Sequence, residues 1–135
     1  MTHRLVLDAS AALHVVIRSE RAVSMIPHLQ VASIVTAPRL YCSEVANGLW
    51  KYVKFGELSR GDAVTRLEEA LSLIDTFECD ESLAVEALGT AVCCQHPVYD
   101  ALYLTLARRV AGVLMTQDRR LSEVALQSGV ECLIF

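Results

Sequence analysis

Arg4-Leu5-Val6-Leu7-Asp8-Ala9-Ser10-Ala11 carries a strand, an acid and the start of a helix within eight residues. Leu5 to Leu7 shows no polar alternation, which marks a strand covered on both faces. Asp8 stops the run and is placed to cap a helix from Ala9 to about Arg18. The pattern then recurs along the chain. Ile34 to Thr36 is short and β-branched, is stopped by Pro38, and leads into a helix from Arg39 to Phe55 that Gly56 closes. Between these units, Arg21 to about Gln30 reads as a helix, with Pro27 arguing against its later part. Ser59 caps a helix running to about Ile74, with Val64, Leu67, Leu71 and Ile74 inward and Asp62, Arg66 and Glu69 outward. Thr76 to Cys79 reads as a brief strand. Asp80 is expected to cap the next helix, whose stripe is Leu83, Ala84, Ala87, Leu88, Ala91 and Val92. His96-Pro97 separates it from a helix that ends at Gly112. Val113 to Met115 is a strand, Leu121 to Ser128 a helix closed by Gly129, and Cys132 to Phe135 a last strand. Strands alternating with helices predict a parallel sheet covered on both faces, with function at the carboxyl ends of its strands. Asp8 directly follows one strand and Asp118 lies just beyond another.

The bulk properties narrow the classes. A length of 135 residues suits one domain over 1–135. Net charge of −4 argues against a sequence-independent nucleic-acid coat, while leaving room for a nucleic-acid enzyme whose metal-binding acids lower the charge. The apolar runs are too short to span a bilayer, and Asp8 breaks the run after Arg4 before a secretory segment forms, so a cytoplasmic protein is expected. Five cysteines without a C-x-x-C pair fit neither a zinc site nor a disulfide framework, and are expected to be small buried hydrophobes. A hydrophobic content of 53% in so short a chain points to a partner interface.

Asp100 is the conspicuous charge. It sits in Tyr99-Asp100-Ala101-Leu102-Tyr103-Leu104-Thr105-Leu106-Ala107, a helix apolar nearly all round and therefore buried. A carboxylate there needs a cation or several donors. Three other acids follow or interrupt apolar elements in the same way: Asp8, Glu44 and Asp118. Glu44, Asn47, Lys51 and Lys54 share one stripe of their helix, opposite Val45, Leu49, Tyr52 and Val53. Two carboxylates ~4 Å apart repel by about 4 kcal/mol at an effective dielectric near 20, so four would gather only around a cation. Magnesium and manganese accept oxygen ligands and bridge to phosphate, which suits phosphodiester hydrolysis without a nucleophilic side chain. Taken singly, Asp8 and Asp118 read as helix caps. Lys51 and Arg119 are the favoured phosphate contacts among the basic residues. Trp50 and Tyr52 read as core or dimer contacts before base-stacking platforms. His14, His28 and His96 are scattered, and read as core or surface histidines.

Four segments together resemble a known family. Val6-Leu7-Asp8-Ala9-Ser10-Ala11 resembles the opening of PIN-domain nucleases, and Glu44-Val45-Ala46-Asn47-Gly48-Leu49 their second acidic motif. Val98-Tyr99-Asp100-Ala101-Leu102-Tyr103-Leu104 resembles the third, and Leu114-Met115-Thr116-Gln117-Asp118-Arg119-Arg120-Leu121 the fourth. The short length resembles VapC-type toxins of type II toxin–antitoxin systems. The resemblance implies a three-layer α/β/α sandwich on a parallel sheet of four or five strands, and a Mg2+- or Mn2+-dependent endoribonuclease. It makes Asp8, Glu44, Asp100 and Asp118 the metal-binding acids, and Ser10, Asn47 and Thr116 substrate-orienting groups. It also implies a cognate antitoxin over the acidic groove, a homodimer, and contact with DNA only through the antitoxin. Two rivals lack their signatures. A dehalogenase-type phosphatase would place a second acid at residue 10, where Ser10 stands, and a receiver domain would need a second acid beside the first strand. The remaining alternative is a non-catalytic module that docks a partner peptide in the acidic groove.

Overall fold

A computed structural model describes residues 3–135. Five strands form one parallel sheet in the order β3-β2-β1-β4-β5, with β1 at Arg4–Leu7, β2 at Ile34–Pro38, β3 at Thr76–Glu78, β4 at Val113–Met115 and β5 at Cys132–Leu133. Seven helices flank it: α1 Ala9–Val16, α2 Ala22–Val31, α3 Leu40–Lys54, α4 Arg60–Ser72, α5 Asp80–Cys94, α6 Val98–Val110 and α7 Arg119–Gln127. The expected α/β/α sandwich is therefore present, with five strands. β1 is central, and Leu5, Val6 and Leu7 are fully buried, as the lack of alternation requires. Helix α1 packs against α2, α3 and α4, and α3 against α4, while α6 packs against α5 and against β1, β2 and β4.

The strand order positions the site. From β1 the chain moves to β2 and β3 on one side, then crosses back to β4 and β5 on the other. β1 and β4 are the adjacent strands whose connections leave toward opposite sides of the sheet, the position at which open α/β sheets bind ligands. The Asp8 amide donates to the Met115 carbonyl at 3.1 Å, so the ladder between β1 and β4 runs right up to that acid.

Helix α6 bears out the reading of an all-round apolar helix: Ala101 to Ala107 are all buried. Other elements depart from expectation. Pro38 is the last residue of β2, paired with Glu78, because a strand's final position can forgo an N–H. Helix α2 continues through Pro27. Pro27 and Val23, whose carbonyl loses its helical donor, are both exposed, so water can substitute. Asp80 does not cap α5, where Cys79 is the N-cap without a side-chain bond. Its Oδ1 instead accepts from the Leu40 amide at 3.2 Å and satisfies the start of α3. The stripe on α5 narrows to Leu83, Ala87 and Ala91, leaving Leu88 and Val92 exposed, because only one side of α5 has a neighbour. The left-handed residue after α6 is Ala111 (φ 50°), and Gly112 serves another purpose: a Cβ there would lie 2.8 Å from the Arg4 carbonyl oxygen. β5 covers only Cys132–Leu133, yet the Gln117 side chain prolongs its pairing, accepting from the Phe135 amide at 2.9 Å and donating to the Phe135 carbonyl at 2.7 Å. None of the five cysteines is fully buried. Cys79 and Cys93 are exposed, one at the start of α5 beside the edge strand and one on the open face of α5.

Candidate active site

Asp8 is 4% exposed at the carboxyl end of β1 and is the N-cap of α1. Its Oδ1 accepts from the Ala11 amide at 2.9 Å and from Ser10 Oγ at 2.7 Å, and its Oδ2 accepts from Thr116 Oγ1. Ser10 and Thr116 also touch each other at 3.3 Å. Ser10 Oγ then accepts from the Gln117 amide at 2.9 Å, and Thr116 Oγ1 from the Asp118 amide at 3.0 Å. One hydroxyl network thus ties the end of β1 to the end of β4. Burial pushes the Asp8 carboxyl up to about 6 against these three hydrogen bonds, and the Asp100 charge pushes the same way.

Asp118 begins α7, and its Oδ1 accepts from the amides of Arg120 (2.9 Å) and Leu121 (3.2 Å). Asp8 and Asp118 are therefore both caps, as the single-residue reading expects, and both also stand at the carboxyl edge of the sheet. Glu44 lies one turn into α3 and accepts from Tyr103 Oη at 2.7 Å. Its carboxyl is raised by burial, lowered by Tyr103, and raised again by the charges of Asp100 and Asp80. Asp100 sits in the first turn of α6, its side chain 25% exposed, with His96 Nε2 2.7 Å from Oδ2. Burial raises its carboxyl, the His96 hydrogen bond opposes, the Asp118 charge raises it and Arg120 lowers it. Asp100 thus feels Asp118, and both Asp8 and Glu44 feel Asp100. Four acids drawn from four distant segments share one field.

The other expected site residues divide. Ser10 and Thr116 are in the network. Asn47 is exposed on α3, one turn after Glu44. Lys51 lines a cavity with Leu13, Gly48, Tyr52 and Phe55, and Arg119 lines another with Arg21, Gln117 and Phe135. Among the described residues, neither is ion-paired with an acid of the site. The arginine whose charge acts on Asp100 is Arg120, not the Arg119 that the sequence favours. Trp50 is 54% exposed, with Lys54 Nζ 5.1 Å from its ring centre, so the core reading of Trp50 fails: it faces outward between α3 and α4. Two site residues escaped the sequence reading. Tyr103 looked like one more apolar residue of α6, although it lies three residues after Asp100 and so on the same face. His96 was grouped with the scattered histidines, although His96 and Asp100 have the i, i+4 spacing. The first partner of Asp100 is therefore this chain's own imidazole, through a hydrogen bond.

Asp100 Oδ1, Glu44 Oε2 and Asp118 Oδ2 meet no protein donor among the described residues. The open oxygens are all carboxylate oxygens, a donor chemistry that suits a hard divalent cation keeping several waters. No group of three or more Asp, Glu, His or Cys side chains among the described residues is gathered tightly enough to enclose an ion unaided. Solvent in an incomplete shell is what this cation class tolerates.

The acids stand at the carboxyl edge of an α/β/α sandwich, beside the topological switch point where open α/β sheets bind ligands. Residues 5–126 match the family described as PIN domain. The chain belongs to that family. It is 33% identical over 122 residues to ribonuclease VapC3 of Pyrobaculum aerophilum, covering 89% of this chain and 93% of that one. The crystal structure of PAE2754 from the same organism superposes with a TM-score of 0.74 at 28% identity, over 98% of this chain and 92% of that chain. FitAcB from Neisseria gonorrhoeae shares the fold at 16% identity, with a TM-score of 0.63 and 96% of both chains covered.

Proposed function

We propose that this protein is a divalent-metal-dependent endoribonuclease, the toxin of a toxin–antitoxin pair, using Mg2+ or Mn2+ held by Asp8, Glu44, Asp100 and Asp118. The observation that carries this reading is Asp8 and Asp118 at the ends of adjacent strands, with Asp100 near enough for its charge to act on Asp8 and on Glu44. Support for RNA as substrate comes from the relationship to ribonuclease VapC3. When bound, the ion polarises a phosphodiester and lowers the pKa of water. The chain supplies the rest. Ser10 and Thr116 clamp Asp8 so that its carboxylate does not rotate. Cap bonds fix one oxygen of Asp118, and Tyr103 fixes one oxygen of Glu44, leaving each a free oxygen. Asn47 lies beside Glu44 to orient the phosphate, and Lys51 and Arg119 lie further out along the RNA backbone. The same acidic edge would receive a cationic segment of the antitoxin, which silences the site by occupying it.

The test is cleavage of end-labelled RNA with Mg2+ or Mn2+ and with chelator, by wild type and by Asp100→Asn. Internal cuts that need metal, and that fall at least ~100-fold in the variant, are expected. Cutting in chelator, or equal cutting by the variant, overturns the reading. A wild type that binds RNA without cutting it would make the chain a docking module.

A further inference from the structure

His96 is costly where it stands. Its side chain is 3% exposed, and Nδ1 is buried without a hydrogen-bond partner among the described residues. A buried ring nitrogen left unsatisfied carries a desolvation cost that an apolar residue would avoid. The other ring nitrogen is committed: Nε2 lies 2.7 Å from Asp100 Oδ2. An ionised carboxylate only accepts, so Nε2 carries the proton and donates. The backbone around the ring is pinned. Gln95 is left-handed (φ 52°), and its carbonyl accepts from Arg120 Nη2 at 2.9 Å. The His96 amide donates to Ala91 at 3.1 Å, and the Pro97 carbonyl accepts from the Ala101 amide at 3.2 Å. The ring is thus delivered from a rigid corner between α5 and α6 to one oxygen of one acid.

We infer that His96 is a positioning residue for a divalent cation: its Nε2–H holds Asp100 Oδ2 and leaves Oδ1 as the oxygen offered to the ion. This rests on the reading of Asp100 as a metal-binding acid. Without the imidazole, Asp100 in the first turn of α6 keeps no side-chain hydrogen-bond donor among the described residues, and its carboxylate is free to rotate. A hydrogen bond that fixes a liganding carboxylate governs both affinity and ligand orientation.

The experiment compares His96→Gln with His96→Asn. The Gln amide nitrogen reaches about as far as Nε2 and can still donate to Asp100, whereas the Asn side chain is one methylene shorter and cannot. Binding of Mn2+ to the metal-free protein is followed by electron paramagnetic resonance, alongside kcat and KM for RNA at saturating Mn2+. Asn should weaken Mn2+ binding about 10-fold or more and lower kcat with KM unchanged, while Gln stays within ~3-fold of wild type. Wild-type Mn2+ affinity in His96→Asn overturns the inference, as does equal loss in both variants, which would mark a structural role. Absence of Mn2+ binding by the wild type removes the metal reading of all four acids and this inference with it.

Discussion

At the residue scale the site is a set of carboxylates each restrained on one oxygen and open on the other, with Asp8 the exception, bound on both. This division ranks the substitutions. Tyr103→Phe removes a donor to Glu44 without opening a cavity. The loss should cost about 1 kcal/mol, since Glu44 is half-buried and water can replace the phenol. Chemical denaturation should show this small shift, and RNA cleavage should fall more than stability does, because the freed carboxylate no longer points one way. Unchanged cleavage would show that Glu44 needs no anchoring. The four acids were legible in the sequence because each is a charge in an apolar setting. Their partners were less so. Tyr103 looks like core, and it is marked out by its place three residues after Asp100 and by the requirement that a buried hydroxyl find a partner. His96 was hidden by the expectation that a charge opposite Asp100 would come from outside the chain.

At the element scale, local patterning decides most boundaries, and departures occur where an element borrows from a distant one. Asp80 is the clearest example. Helix propensity assigns it to its own helix, but β3 lies beside β2, so the start of α5 is brought to the start of α3 and the carboxylate serves Leu40. Asp80→Ala should therefore destabilise the fold by about 1 kcal/mol, through loss of an N–H acceptor and of a negative charge at a helix N-terminus. A slower-exchanging Leu40 amide in wild type than in the variant would locate the effect; equal exchange would refute it. The glycines give a second contrast. Gly112→Ala drives a methyl into the Arg4 carbonyl, a backbone atom that cannot swing aside, and should cost about 1–3 kcal/mol. Gly89→Ala, inside α5 with open space around it, should stabilise by about 1 kcal/mol. Thermal melts that moved both variants in one direction would contradict these assignments. Sequence spacing exposes neither difference, because both glycines sit in or beside helices.

At the scale of the whole molecule, the alternation of strands and helices implies a parallel sheet, but strand order depends on crossovers that no local pattern records. The order β3-β2-β1-β4-β5 is what brings Asp8 and Asp118 to adjacent strand ends. It also sets a stability cost. The Asp8 carboxyl is pushed up to about 6 from 3.8 by burial, and Glu44 and Asp100 are raised for the same first reason. A raised carboxyl means that the folded chain holds its proton more tightly than the unfolded chain. Its contribution is then fully present below about pH 4 and is lost as pH climbs through about 6. For Asp8 this amounts to on the order of 3 kcal/mol at neutral pH. His14 opposes the trend, because burial lowers its pKa and its contribution is lost as pH falls. Comparing wild type with Asp8→Asn cancels that term. Asn keeps the capping oxygen for Ala11 and has no proton to lose. In chelator, the melting temperature of wild type should fall relative to Asp8→Asn between pH 4 and pH 7. Millimolar Mn2+ should reverse the fall above pH 6, since the ion binds the ionised folded site and not the unfolded chain. Parallel pH profiles for the two proteins would mean that Asp8 is not held protonated by the fold. A wild-type profile unmoved by Mn2+ would mean that the four acids form a field but not a site.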